Sequence, residues 1–151
     1  ICLGSQLLGE VLGAKIIKSK DSEIGFYKVR SNKILNEDKV CNYLPNIFEV
    51  FQWHSYEVKK IHDKNFAILA SSKNTEVQLF RYKKHAYGMQ FHLEIKKDTV
   101  DKWCKINSNK EHLKKFIGVQ NISKFTKISK NNIQNINFLC KNFINNFSKI
   151  I

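Results

Sequence analysis

The chain of 151 residues begins with Ile1-Cys2-Leu3-Gly4-Ser5-Gln6, a stretch in which a cysteine stands directly before an apolar segment. Apolar residues continue at helical spacing along this segment, and Gly13 follows them as a residue type that commonly ends a helix. Unpaired N–H groups and the positive end of the dipole at a helix N-terminus stabilise a thiolate. The stretch therefore predicts a helix with a nucleophilic cysteine at its start. The apolar face of this helix comprises Leu3, Leu7, Leu8, Val11 and Leu12.

Two glycines, Gly4 and Gly9, lie inside the predicted helix. Each costs up to about 1 kcal/mol relative to alanine in a helix interior, so both indicate that another part of the chain packs very close to the helix. Small residues around Cys2 also suit a crowded strand-to-helix turn. That arrangement is similar to the nucleophile elbow of hydrolases, in which the reactive side chain stands clear above a sheet.

A second pair of reactive side chains, His92 and Glu94, lies in a segment with the composition of a strand. In an extended segment residues i and i+2 project to the same side, so both side chains would face one pocket while Leu93 points away. An imidazole can exchange protons with a nucleophile, and a carboxylate can fix the imidazole tautomer and stabilise its cation. The pair would complete a catalytic group with Cys2. Taken alone, a strand-end histidine beside an exposed glutamate would be the simpler interpretation.

Both motifs resemble signatures of one enzyme family, the class I glutamine amidotransferases. Cys2-Leu3-Gly4-Ser5-Gln6 resembles the pattern G-x-C-x-G-x-Q, and Tyr87-Gly88-Met89-Gln90-Phe91-His92-Leu93-Glu94 resembles G-x-Q-F-H-P-E with leucine in place of proline. The whole chain is similar to the C-terminal two-thirds of a stand-alone, GMP-synthase-like member. This resemblance implies an α/β, flavodoxin-like fold. Because a single residue precedes Cys2, we expect the fold to be incomplete at its N-terminus.

The resemblance also implies an activity, the hydrolysis of the glutamine side-chain amide through a cysteine thioester to supply ammonia. It implies Cys2 as the nucleophile, His92 as the base and Glu94 as the acceptor that orients the imidazole, with the Leu3 N–H as one oxyanion donor. It implies no metal and no organic cofactor in this domain. Glutamine is the expected small-molecule substrate, and the acceptor chemistry would lie in a synthetase or other acceptor-domain partner.

Substrate contacts are implied by the same resemblance at four further residues. Gln6 matches the family glutamine that orients the substrate. His54, Ser55 and Tyr56 stand where the family has H-G-D, a loop whose backbone helps to hold the α-amino and carboxylate groups of the substrate. A structural histidine bonded within its own loop is an equally good interpretation of His54.

Two other functions remain open from the sequence. A γ-glutamyl hydrolase would use the same three catalytic residues on a different γ-glutamyl amide. A catalytically inactive relative would only bind a partner. The second alternative is suggested by the replacement of Gly-Asp with Ser55 and Tyr56, and by the lack of the family's upstream glycine-rich loop.

Charge and composition limit the classes of partner. Lysine and arginine number 26 against 13 acidic residues, a net charge of +13, but only Arg30 and Arg81 are arginines. Bidentate contacts to phosphates and contacts to base edges are preferentially made by arginine, so the composition argues against nucleic acid as the main partner.

The chain has no apolar run long enough to cross a bilayer and no signal-peptide pattern, so we expect no membrane association and a cytoplasmic location. Four scattered cysteines without C-x-x-C spacing suggest neither a zinc site nor a disulfide framework.

The order of patterns predicts a glutamine amidotransferase part over residues 1–97 and a helical C-terminal extension over residues 98–151, packed on the same domain. Residues 105–151 carry nine lysines and one acidic residue, Glu111, which gives this helical end a charge of +8. We interpret it as a packed extension with a solvated basic face.

Strands are expected at residues 14–19 and 24–29, with a polar turn between them. Residues 31–46 are polar and contain the only proline, so a surface connection is expected there. Residues 76–82 and 86–92 are expected to pair as an antiparallel hairpin, with an exposed three-residue tip that includes His85.

Overall fold

The computed structural model describes the backbone of residues 1–151 and every side chain except those of residues 130 and 131. Helix α1 precedes a five-stranded sheet, and three further helices follow it. The elements are α1 (Leu3–Val11), β1 (Ile16–Ser31), β2 (Ile47–Val58), β3 (Phe66–Ser71), β4 (Leu79–Tyr82), β5 (Ala86–Met89), α2 (Thr99–Lys105), α3 (Asn107–Ile117) and α4 (Ile122–Phe147), with short 3-10 turns at Lys33–Glu37 and Val119–Asn121. The strand order is β2-β1-β3-β4-β5, and each neighbouring pair is antiparallel.

The predicted hairpin is confirmed. β4 pairs with β5 from Leu79 opposite Met89 to Tyr82 opposite Ala86, and residues 83–85 form its exposed turn. Beyond β5 the chain continues to His92, which forms a bridge with Phe51 of β2. Because β2 and β5 are the two edges of the sheet, this bridge requires the sheet to curl until its edges approach each other.

Strand β1 corrects the prediction of two short strands with a turn between them. The structure has one long strand that pairs with β2, and the pairing is irregular between Lys18 and Glu23. The polar residues of this stretch predicted a turn, but Ser19 and Glu23 are buried within the strand. Glu23 accepts hydrogen bonds from other side chains, so its polarity marks an internal network rather than an exposed connection.

The connection between β1 and β2 corrects a second prediction, that residues 31–46 lie on the surface. Leu35, Val40, Cys41 and Leu44 are buried in the main core. The carboxylate of Asp38 is also buried and accepts the backbone N–H groups of Val40 and Cys41 at 3.0 and 2.9 Å. A buried carboxylate that satisfies backbone donors makes this polar segment compatible with the interior.

The packed face of α1 contains only part of its apolar face, because Leu8 and Leu12 are partly buried against the core and the other three residues are not. Ser5 and Gly9 are the buried residues of the helix, whereas Leu3 and Val11 of the apolar face are 65% and 84% exposed. A Cβ on Gly9 would lie 2.9 Å from Val58 Cγ1, so the predicted close packing is correct for this glycine. It is wrong for Gly4, which has no neighbour within 4 Å of the Cβ position.

The C-terminal helices pack on the same core as the sheet. The ring of Phe51 lies 5.4 Å from Phe26 of β1, 6.2 Å from Trp103 of α2 and 6.2 Å from Phe125 of α4. Ile133 and Ile136 of α4 are fully buried in this cluster. The division of the chain at residues 97 and 98 remains a prediction.

Candidate active site

Cys2 occupies a strained turn immediately before α1. Its backbone has φ of 46° and ψ of −109°, a positive φ that non-glycine residues rarely adopt. The N–H of Cys2 donates to the carbonyl of Met89 at 2.8 Å, which ties the turn to the end of β5. A residue in such a region carries about 1–3 kcal/mol of strain and persists where the surrounding structure enforces it. The geometry agrees with the predicted elbow, in which a sharp turn presents a reactive side chain.

His92 is held from both its backbone and its ring. Its N–H donates to the carbonyl of Phe51 at 2.8 Å, and its ring packs edge-on against Trp103 with centroids 5.0 Å apart. The Nδ1 atom lies 2.6 Å from Oε1 of Glu94. The structure therefore places His92 and Glu94 side by side, as their i, i+2 spacing predicts.

The thiol of Cys2 completes a three-residue cluster with His92 and Glu94. Burial lowers the pKa of His92, but hydrogen bonds with Cys2 and Glu94 and the negative charge on both partners raise it to about 9. Burial raises the pKa of Glu94, but its hydrogen bond to His92 outweighs burial and the net shift is downward. Because Nδ1 contacts Glu94, Nε2 is the ring nitrogen left to hydrogen-bond with the Cys2 thiol. The raised pKa of His92 and the lowered pKa of Glu94 favour a protonated imidazole beside a carboxylate.

Gln90 is a site residue that our sequence reasoning did not assign. Its side-chain nitrogen Nε2 donates to Cys2 Sγ at 3.5 Å, and its Oε1 accepts a hydrogen bond of 3.0 Å from Gln6 Nε2. Gln6 also donates to the carbonyl of Tyr56 at 3.0 Å. Gln90 precedes His92 by two positions, so the same alternation that paired His92 with Glu94 could have found it.

The segment from Trp53 to Tyr56 lies beside the cluster and lines a cavity of about 690 Å³. The carbonyl of Trp53 is 3.9 Å from Cys2 Sγ. Ser55 and Tyr56 face the cavity together with His112 of α3, whose Nε2 is 3.5 Å from Ser55 Oγ. The structure thus brings the predicted substrate segment next to Cys2.

The contacts of His54 favour its structural interpretation. The ring is buried, with Nε2 at 3.0 Å from Glu23 Oε2 and Nδ1 at 3.0 Å from the carbonyl of Tyr56. Burial raises the pKa of Glu23, but hydrogen bonds from His54, Ser72 and Gln78 outweigh it and lower that pKa. With both ring nitrogens engaged by the protein, any contact of residue 54 with a substrate is left to its backbone.

Comparison with known proteins places this arrangement in a family. A family model described as glutamine amidotransferase class-I matches residues 1–108, the larger part of the chain. The chain belongs to the class I glutamine amidotransferases.

The chain is 38% identical over 97 residues to the glutamine-hydrolysing GMP synthase subunit of Sulfurisphaera tokodaii, covering 64% of the chain and 50% of that protein. It is 28% identical over 135 residues to the corresponding GMP synthase subunit of Thermoplasma acidophilum, covering 89% of the chain and 60% of that protein. A glutamine amidotransferase of known structure from Thermotoga maritima matches with a TM-score of 0.81 at 29% identity, covering 97% of this chain and 60% of the other. The predicted fold is confirmed, and the chain spans between half and three fifths of the length of these relatives.

The other thiols of the chain lie in different surroundings from Cys2. Cys41 and Cys104 are buried and Cys140 is half-buried. Burial raises the pKa of all three thiols, which disfavours their thiolate forms. The three thiols are therefore less suited than an activated cysteine to act as nucleophiles.

Leu3 opens α1, so its N–H has no acceptor one turn earlier in the helix. Its side chain is exposed, and its backbone adjoins the Cys2 turn. This position suits an N–H donor for the oxyanion that forms when a cysteine attacks a carbonyl group.

Among the helices that the structure describes, none is long and apolar enough to span a bilayer.

Proposed function

We propose that this amidotransferase hydrolyses the side-chain amide of glutamine and supplies the ammonia to an acceptor reaction. The observation that carries the proposal is the cluster at the elbow, in which Cys2 meets an imidazole whose other nitrogen is 2.6 Å from Glu94. Relatives named as glutamine-hydrolysing subunits of GMP synthase support it.

The first half of the reaction uses the proton held by His92. The Cys2 thiolate attacks the amide carbon of glutamine, and the carbonyl oxygen becomes an oxyanion. The imidazolium of His92 then gives its proton to the amide nitrogen, the carbon–nitrogen bond breaks, and ammonia leaves a γ-glutamyl thioester. Glu94 stabilises the imidazolium before this step and fixes the ring orientation throughout.

The second half returns the enzyme to its starting state. Neutral His92 takes a proton from a water molecule, the hydroxide attacks the thioester, and the carbon–sulfur bond breaks to give glutamate and the Cys2 thiolate. An oxyanion forms in each half. The Leu3 N–H is our proposed donor to it, and a single well-placed donor contributes on the order of 3 kcal/mol to such a transition state.

The roles proposed for the neighbouring residues follow from their contacts. Gln6 lies one helical turn from Cys2 and is held by Gln90 and by the Tyr56 carbonyl, so its amide is positioned beside the nucleophile. Gln6, Ser55 and Tyr56 are proposed to hold the substrate, with His54 contributing through its backbone. A partner protein with a synthetase site is proposed to consume the ammonia.

The decisive experiment compares Cys2→Ser with Cys140→Ser, a matched change at a half-buried cysteine outside the cluster. With glutamine as the substrate, release of glutamate and ammonia should be lost in Cys2→Ser and retained in Cys140→Ser. Retained activity in Cys2→Ser would refute the nucleophile assignment.

Two further assays separate the alternative functions. Release of an aromatic amine from a γ-glutamyl anilide, without release of ammonia from glutamine, would identify a γ-glutamyl hydrolase. A glutamine analogue with an electrophilic γ-carbon should label Cys2 covalently. Failure of wild-type protein to be labelled, measured by mass spectrometry of the intact chain, would favour a catalytically inactive partner-binding protein.

A further inference from the structure

A cavity of about 430 Å³ lies at the turn end of the β4–β5 hairpin, away from the cysteine cluster. Four of its lining side chains are cationic and one is a carboxylate, so the lining carries a charge of +3 with His85 neutral. The cavity lies where the hairpin turn meets the 3-10 turn after β1 and the segment after α4. The charged side chains are Glu37, Lys39, Arg81, Lys84 and Lys149.

Arg81 forms an ion pair with a buried carboxylate in this cavity, although its Nε makes no hydrogen bond of good geometry to the residues that the structure describes. Its Nε lies 3.2 Å from Oδ2 of Asp38, whose side chain is fully buried. Asp38 is itself held by the backbone N–H groups of Val40 and Cys41 and by the hydroxyl of Tyr87, which donates at 3.1 Å. An arginine paired through Nε keeps the donors of its two terminal nitrogens, and those form the fork that matches a phosphate.

The choice of arginine at this position is informative. The chain has 26 basic residues, and arginine is found only at positions 30 and 81. Arg81 is 28% exposed, so its guanidinium is neither buried nor freely solvated. Arg81, Lys84 and His85 also line an adjoining cavity of about 530 Å³ that adds Lys64 and Lys83. The guanidinium of Arg81 is therefore shared by two cavities whose linings are both basic.

The cavity also has a less polar wall, formed by Tyr87 and Ile150. A volume of about 430 Å³ lies in the range of pockets that hold small organic ligands. We propose that this cavity binds the phosphate group of a small phosphorylated molecule, with Arg81 as the bidentate contact and Lys84 as a flanking cation. The ligand class is a phosphate or polyphosphate, either free or attached to an organic body.

The proposed site is separate from glutamine hydrolysis. β5 runs from Ala86 beside the hairpin turn to Met89, whose carbonyl accepts the Cys2 N–H, so about 10 Å of strand separates the hairpin turn from the Cys2 turn. The inference therefore goes beyond the proposed function and does not depend on it. Its test needs no measurement of enzymatic activity.

The experiment titrates the full chain with inorganic pyrophosphate by calorimetry at about 150 mM salt, where distant surface charges are largely screened. We expect wild-type protein to bind and Arg81→Lys to bind about tenfold more weakly, because lysine keeps the charge but loses the fork. Lys84→Gln, at an exposed residue of the turn, should also weaken binding. Arg30→Lys, the same change at the other arginine, should bind as wild type does.

Other outcomes would overturn the proposal. Equal affinity of wild type, Arg81→Lys and Lys84→Gln would show that neither Arg81 nor Lys84 contacts pyrophosphate. Thermal unfolding of each variant checks that Arg81→Lys still folds, and Lys84→Gln tests the same site without touching Asp38.

A second titration series distinguishes the sources of phosphate. Tighter binding of adenosine 5′-diphosphate than of pyrophosphate would support a ligand with an organic body, and equal binding would support a free polyphosphate. Adenosine that binds as tightly as its diphosphate would contradict phosphate recognition.

Discussion

The side-chain amide of Gln90 donates to the sulfur of Cys2 at 3.5 Å, and its oxygen is fixed by Gln6 at 3.0 Å. The second contact decides which end of the Gln90 amide faces the sulfur. An N–H donor stabilises a thiolate, whereas an amide turned the other way would present an oxygen and repel it. Gln6 therefore acts on Cys2 through Gln90, in addition to any contact with a substrate.

Replacement of Gln90 by leucine should slow the reaction of Cys2 with iodoacetamide. Loss of one hydrogen bond to a charged group corresponds to about 1.5 kcal/mol, so we expect an alkylation rate about tenfold lower near neutral pH. Gln134→Leu, at an exposed position of α4, is the matched control and should react as wild type does. An unchanged rate in Gln90→Leu would mean that the contact does not stabilise the thiolate.

The stability of the chain should depend on pH through His92. Burial lowers the pKa of His92, but hydrogen bonds with Cys2 and Glu94 outweigh burial and raise it from the ordinary value of 6.5 to about 9. A group with a raised folded pKa contributes stability that is fully present below its unfolded pKa and is lost as the pH rises through its folded pKa. We expect the free energy of unfolding to fall by up to about 3 kcal/mol between about pH 6.5 and pH 9.5.

Urea unfolding at a series of pH values measures this loss, with His92→Gln as the comparison. The variant lacks the titrating imidazole, so its free energy of unfolding should change less across the same interval. Parallel curves for the two proteins would show that His92 is not the group responsible.

Glu94→Gln should impair glutamine hydrolysis more than binding. The amide keeps a hydrogen-bonding group near Nδ1 but removes the negative charge that raises the pKa of His92. We expect kcat to fall on the order of 100-fold with a smaller change in KM, and the alkaline limb of the pH profile to move to lower pH. Glu94→Asp should restore part of the activity. Glu49→Gln, at an exposed glutamate of β2, should have no effect on either parameter.

Gly88→Ala should destabilise the chain because the new methyl group has no room. A Cβ at this position would lie 2.2 Å from Phe80 Cε1 and 2.7 Å from Ser5 Oγ, at the contact between α1 and the sheet. Overpacking of this kind costs about 1–3 kcal/mol, which thermal or urea unfolding would detect.

Gly4→Ala is the opposite case, because no atom lies within 4 Å of its Cβ position. It should stabilise α1 by about 0.5–1 kcal/mol. Equal effects of the two substitutions would contradict this account of the helix contact.

Local patterns were sufficient where neighbours along the chain decide the geometry. The i, i+2 spacing of His92 and Glu94 predicted their contact, and Cys2 before a helical segment predicted the elbow. Local patterns gave wrong predictions where residues distant in the sequence decide the geometry. The polar residues of β1 predicted a turn because the partners of Glu23, which come from three other parts of the chain, are not visible in its local sequence.

The sequence by itself determined the kinds of chemical group that this protein carries and their local order. A thiol precedes a helix, an imidazole stands two positions before a carboxylate, and a β-hairpin comes directly before that imidazole. Only the tertiary structure decided that Cys2 and His92 meet, because the curl of the sheet brings the end of β5 to the opposite edge strand at Phe51. It also decided that α1 buries Ser5 and Gly9 most deeply, with Leu8 and Leu12 only partly buried against the core and Leu3, Leu7 and Val11 exposed. Close approach to Gly88 and Val58 leaves room for small side chains alone on that face, and this steric limit outweighs the apolar periodicity of the helix.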